Sequence, residues 1–150
     1  MEHPKDVGDR STLAIMIALR DAGYGVLLPF GENTRYDLVI ERDGVLSRVQ
    51  CKTGRLLKGV VEFRAISSYY HHPNPKTPLK HYRGQIDFFA VYCRQTTGIY
   101  LIPIADVGVL TRVYLRVIPP RNNQNRKVRY AADYEIGRVA IEGLRVPSGA

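Results

Sequence analysis

The sequence lacks any apolar run approaching the roughly 20 residues that cross a bilayer, which excludes a helical membrane span. Its opening, MEHPKDVGDR, has no apolar signal region, so secretion is not expected. Cysteine is scarce. Cys51 and Cys93 have no second cysteine at metal-finger spacing, and both lie in strand-like apolar stretches. They are expected to be buried free thiols in a reducing, cytoplasmic setting. Internal repeats and low-complexity linkers are absent, and 150 residues suit one domain, 1–150, with one sizeable core. The scarcer charge is the negative one: 14 acids stand against 22 Lys and Arg, for a net +8 and a pI near 9.7. That imbalance favours a polyanionic partner, of which nucleic acid is the common case. Basic residues are densest late in the chain, at Arg112, Arg116, Arg121, Arg126, Lys127 and Arg129.

What is present reads as α/β. Residues 9–22 form a candidate helix with Asp9 or Ser11 as its cap and Gly23 at its end. VLLPF at 26–30 reads as a short strand that Pro29 places at an edge or an end. VVEFRAI at 60–66 is another strand, and the segment 67–85, with three prolines, reads as a long loop. IDFFAVYC at 86–93 and IYLIPI at 99–104 are apolar enough to be central strands, joined by a turn at 95–98. A helical turn is expected near Asp106. TRVYLRVI at 111–118 fits strand or helix, and Pro119-Pro120 ends it.

The stretch RYDLVIERDGVLSRVQCK, residues 35–52, carries the chemistry. Asp43-Gly44 is a favoured pair for a two-residue hairpin turn, because both positions want positive φ. A turn centred there sets Asp37 directly opposite Gln50. Alternation puts Gln50 and Lys52 on one face and the Cys51 side chain on the other. Lys52 then sits diagonal to Asp37, roughly 7 Å away. One face gathers a carboxylate, an amide oxygen and an ammonium. Two readings stay open from spacing alone. One is a cross-strand ion pair on a solvated sheet. The other is the apparatus of phosphodiester hydrolysis: oxygens for Mg²⁺ and a lysine that stabilises developing charge or assists deprotonation of water.

Asp37, followed thirteen positions later by Gln50-Cys51-Lys52, resembles the PD-(D/E)XK nuclease superfamily. The longer phrases PFGENTRYDLVI, VQCKTGR and YRGQIDFFAVYC…GIYLIPI are similar to the small group I intron-associated homing endonucleases of that superfamily, over roughly residues 7–137. The resemblance implies a mixed β-sheet flanked by helices, a restriction-endonuclease-like core with the first helix beside the active site. It implies a Mg²⁺-dependent (or Mn²⁺-dependent) DNA endonuclease that cuts double-stranded DNA at specific sites. Asp37, Gln50 and the backbone carbonyl of Cys51 would form the ligand set, with Lys52 assisting. A homodimer or homotetramer is expected, because one small domain cannot cut both strands at once. Two departures stand out. Gln50 replaces the family's second acid, and a neutral amide binds Mg²⁺ less strongly than a carboxylate. Thr12 occupies the place where many relatives carry a helix-borne Glu, and Asp9, one turn earlier, is the candidate replacement. Alternatives are a Holliday-junction resolvase, or a DNA-binding module that has lost cleavage.

Arg35, Arg55 and Lys58 flank the hairpin and are candidate phosphate clamps. Tyr69, Tyr70, Lys76, Lys80 and Arg83, in a loop that also holds Tyr82, mix aromatic and basic groups in a way that suits DNA contacts. His71-His72 is not expected to bind metal. Gln85 and Asp87 are read as structural, and Glu62 as a lesser candidate for lending charge to the metal site.

Overall fold

The computed structural model describes residues 2–31, 33–66, 82, 84–118 and 128–136. A long helix, α1 (Pro4–Asp21), is followed by strands β1 (Gly25–Leu27), β2 (Leu38–Arg42), β3 (Val45–Leu57), β4 (Val60–Arg64), β5 (Phe88–Cys93) and β6 (Gly98–Pro103). A single turn, α2 (Ile104–Val107), then leads to β7 (Arg112–Arg116) and a 3₁₀ turn over Ala131–Tyr134. The seven strands form one mixed sheet in which β3 and β5 run parallel and the other pairs are antiparallel. No helix among the described residues is long and apolar enough to cross a membrane.

The helix begins five residues before the expected start. His3 is its cap, with Nδ1 accepting the Lys5 amide at 3.2 Å, and Pro4 occupies the first turn, where its missing N–H costs nothing. Asp9 and Ser11 therefore lie inside the helix, and neither caps it. Ser11, Ile15 and Leu19 repeat at helical spacing and are buried against the sheet. Ser11 also pairs its hydroxyl with that of Thr53 on β3 at 2.6 Å.

Strand β3 organises the fold because it is 13 residues long and changes neighbours along its length. It pairs with β2 over residues 45–49, with β5 over 49–54 and with β4 over 55–57. Strand β5 is buried on both faces, which explains its unbroken apolar sequence. Phe88 and Ala90 join α1, Leu38, Ile40 and Val49 in one core. Phe89, Val91 and Cys93 join Val61, Phe63, Val113 and Leu115 in a second, so β4 and β7 cover the face that α1 does not. The ring centroids of Phe63 and Phe89 are 5.5 Å apart, and Tyr82 meets Phe89 edge-on at 5.4 Å.

Gly54 lies at the crossing of these layers. A Cβ there would stand 2.8 Å from Cγ1 of both Val61 and Val91. Gly54→Ala is expected to destabilise the protein by about 1–3 kcal/mol through overpacking, read from denaturant midpoints. Gly8, in the exposed second turn of α1, has no atom within 4 Å of its Cβ position. Gly8→Ala is expected to shift stability the other way, by roughly 0.5–1 kcal/mol.

Candidate active site

The hairpin turn forms as its sequence requires. Asp43 and Gly44 have φ of 52° and 82°, and the register runs from Arg42–Val45 to Leu38–Val49. The ladder stops there, one pair short of the expected Asp37–Gln50 pair. The Asp37 amide donates back to the Val49 carbonyl at 2.9 Å, and its Oδ2 accepts the Cys51 amide at 2.8 Å. A side-chain oxygen thus takes the place of a backbone acceptor and holds the two chains apart. Over residues 50–54, β3 pairs with β5 alone among the named strands. Within a strand the N–H and C=O of one residue point to the same edge. The Cys51 carbonyl therefore faces the open edge where Asp37 lies.

Alternation sends Gln50 and Lys52 to the second core's side of β3 and Cys51 to the side of α1, as expected. The Gln50 side-chain amide makes no hydrogen bond among the described residues. The Lys52 ammonium donates to the Ile66 carbonyl at 3.2 Å, stands 3.5 Å from the Tyr82 hydroxyl and lies 5.0 Å from that ring's centroid. The Arg35 guanidinium covers the same ring at 3.9 Å and donates from Nε to Gln85 Oε1 at 2.5 Å. Asp37 and Lys52 form no ion pair, so the reading of this face as a simple cross-strand pair does not fit the geometry.

Both groups are shifted by their surroundings. Solvent reaches Asp37, yet the protein packed around its carboxyl raises its pKa, against the pull of the Cys51 amide and of Lys52. Burial lowers Lys52 to about 8; Asp37 opposes that shift, and Arg35 and Arg64 add to it. Burial pushes the Cys51 thiol up, the charge of Asp37 adds to this, and the nearby Thr12 hydroxyl works against it. Cys51 therefore presents a protonated thiol to α1, and only its backbone faces Asp37.

The structure separates several other candidates. Asp9 is exposed, about 160° around the helix from the buried Ser11 at 100° per residue, and its carboxylate makes no hydrogen bond or ion pair among the described residues. Asp9→Asn is expected to leave any cleavage rate within about twofold, checked by single-turnover assays, because an exposed, unpaired group exerts little force on a distant centre. Arg35 shares the Lys52 side, whereas Arg55 lies on the opposite face of β3. Lys58, at φ 51° in the tight β3–β4 turn, is six residues and roughly 20 Å along the strand from Lys52. Asp87 is structural: it accepts the Arg48 amide at 2.7 Å and pairs with its guanidinium at 3.3 Å. Glu62 lies 3.9 Å from Arg112 rather than beside Asp37. Tyr69, Tyr70, Lys76, Lys80 and Arg83 lie outside the described residues, as do His71 and His72. Tyr82 is the site residue that sequence reading left among loop aromatics. It is 4% exposed and stacks under two cations.

No group of three or more His, Cys, Asp and Glu side chains among the described residues is arranged to hold a metal. The oxygen donors near the gap are one carboxylate, one side-chain amide and one backbone carbonyl. Oδ1 of Asp37, unlike Oδ2, makes no hydrogen bond among the described residues. These are hard, uncrowded oxygens of the kind Mg²⁺ or Mn²⁺ accepts, completed by water.

No curated protein matches the chain. Among solved structures, a bacterial homing endonuclease, I-Ssp6803I, superposes with a TM-score of 0.72 at 24% identity, over 89% of each chain, which establishes a shared fold. The sequence profile described as PD-(D/E)XK endonuclease matches residues 2–137, a span that includes every described residue, and the chain belongs to that family.

Proposed function

We propose that the protein is a divalent-metal-dependent, site-specific endonuclease acting on double-stranded DNA, of the homing type. The carrying observation is the gap in the sheet at residues 50–54. There Asp37, held by the Cys51 amide, and Lys52, held by Ile66, stand close enough to act on each other's charge without forming an ion pair. Asp37, Gln50 and the Cys51 carbonyl would hold Mg²⁺ or Mn²⁺. When bound there, such an ion supplies Lewis acidity at the phosphate and lowers the pKa of a water. The chain's own groups do the rest. Lys52 stabilises the negative charge that grows on the phosphate oxygens, and its anchor on Ile66 and Tyr82 fixes its direction before substrate arrives. Arg35, stacked on Tyr82, orients the DNA backbone beside it. The net charge of +8 draws duplex DNA in and makes binding fall steeply with salt. Each chain carries one such gap, so double-strand cleavage calls for a homodimer or homotetramer on a pseudo-palindromic site.

The test is supercoiled plasmid carrying a library of randomised inserts, incubated with Mg²⁺ and then with EDTA. Cleavage confined to particular inserts and abolished by EDTA supports the proposal. Tight binding with no cutting under Mg²⁺ or Mn²⁺ overturns it. That result favours a binding module without cleavage, the reading that Gln50 and Thr12 in the places of two acids would then explain.

A further inference from the structure

The outer face of the β3–β4–β7 layer carries charge that the fold does not balance. Val61, Phe63, Val113 and Leu115 turn into the second core, so the residues between them point outward. The register places Arg55, Glu62 and Tyr114 in one row, and Arg64 directly opposite Arg112 in the next. Like charges opposite each other on neighbouring strands have Cβ atoms about 5 Å apart and destabilise the pair. Arg116 continues the same face of β7. Among the described residues Glu62 is the one carboxylate in these rows, and it lies 3.9 Å from Arg112. Four guanidiniums thus share one acid on an exposed surface. The surface holds two hollows of about 560 and 170 Å³ that meet at Glu62 and Arg112.

We infer that this face is a second DNA contact surface, docking on the duplex backbone away from the scissile linkage. The inference rests on the reading of the chain as a DNA endonuclease. Charge complementarity selects the occupant: a facing pair of arginines is unfavourable in the isolated protein and favourable against phosphate. Continuity places the occupant on the same duplex. Strand β3 links the two regions: Arg55 lies roughly 10 Å beyond Lys52 along the strand, on its other face. A duplex carries one charge per about 1.7 Å of axis, so DNA seated at the gap still presents several phosphates at that distance. Tyr114, 53% exposed, offers a ring and hydroxyl to the sugar-phosphate chain in the same row as Arg55.

The experiment measures affinity for a random-sequence duplex by fluorescence anisotropy from about 50 to 200 mM salt, in an Asp37→Asn background that prevents cutting. Arg64→Gln and Arg112→Gln are each expected to lower the slope of log affinity against log salt by about 1, and the double variant by about 2. The double variant is also expected to raise Kd roughly tenfold or more at the upper salt. Arg94→Gln, the same charge loss on the exposed β5–β6 turn, serves as control and is expected to change neither quantity. The melting temperature of the double variant without DNA should equal or exceed that of the parent, because a repulsive pair has been removed. A double variant that tracks Arg94→Gln in slope and Kd overturns this inference and leaves the proposed function standing. A parent that fails to bind duplex DNA at any salt overturns both.

Discussion

Asp37→Asn is expected to abolish cleavage, by on the order of 10³-fold or more, without unfolding the protein. The two halves of that result have separate causes. Oδ2 of Asp37 accepts the Cys51 amide, and an asparagine carbonyl in the same place can accept it too, so the widened end of the hairpin survives. What asparagine cannot supply is the negative charge. Asp37 is the only carboxylate among the three donors at the gap, since Gln50 brings a neutral amide and Cys51 a backbone carbonyl. Loss of that charge leaves no anionic ligand for a divalent cation. A thermodynamic readout separates this from a merely structural effect. If Mg²⁺ binds with a dissociation constant near one-tenth of its concentration, the native state gains about 1.4 kcal/mol. That gain should appear as a higher melting temperature in the parent and vanish in Asp37→Asn. Without metal the variant should be no less stable, because the protein packed around the solvent-reached Asp37 carboxyl already disfavours its charged form. A variant that still cuts, or that keeps the Mg²⁺-induced shift, removes Asp37 from the metal site.

The residues that define this centre differ in how far sequence could reveal them. The hairpin register followed from Asp43-Gly44, because a two-residue turn with two positive φ values fixes every pair beyond it. The placement of Gln50 and Lys52 on one side followed from alternation. The same alternation places Arg55 on the opposite side from Lys52, so the grouping of Arg55 with Arg35 was correctable from parity alone. The departure at Asp37 was not legible. It depends on a carboxylate replacing a backbone acceptor, and a side chain's choice of partner leaves no periodic trace. The helix start was missed because histidine is an uncommon cap, although Pro4 marked the first turn. For residues 111–118 the pattern fitted both elements. The structure makes Arg112–Arg116 a strand because Val113 and Leu115 are needed over Phe89 and Val91. Tyr82 meets Lys52 across thirty positions and Arg35 across forty-seven, contacts that only the assembled sheet creates.

Lys52→Met carries the second large effect: cleavage falls by roughly 10³-fold while the protein becomes more stable at neutral pH. Lys52 is largely enclosed, and its pKa of about 8 lies below the ordinary 10.5. Holding the ammonium charged in the fold therefore costs about 3 kcal/mol relative to the unfolded chain. Methionine has similar length and no charge. Its gain is reduced by roughly 1 kcal/mol for the Ile66 carbonyl left without its donor, so a net stabilisation of about 1–2 kcal/mol is expected. The pH dependence identifies the cause. Below pH 8 both folded and unfolded states hold the proton, and the cost is fully present. Between about 8 and 10.5 the unfolded chain keeps a proton that the folded protein has released, so the parent's stability rises with pH across that interval. The rise should be absent in Lys52→Met. Cys51, Tyr82 and Tyr134, whose pKa values are raised, act in the opposite direction, the thiol from about pH 9 and the phenols above about pH 10, which leaves the lower part of the interval to Lys52. Urea unfolding of parent and variant at pH 7 and pH 8.5 reads both quantities, below the range where Cys51 opposes the rise. A parent with flat stability across that range would show that the ammonium is well solvated. A Lys52→Met variant that is less stable at pH 7 would show that it is anchored for the fold rather than held, at a cost to the fold, for a phosphate.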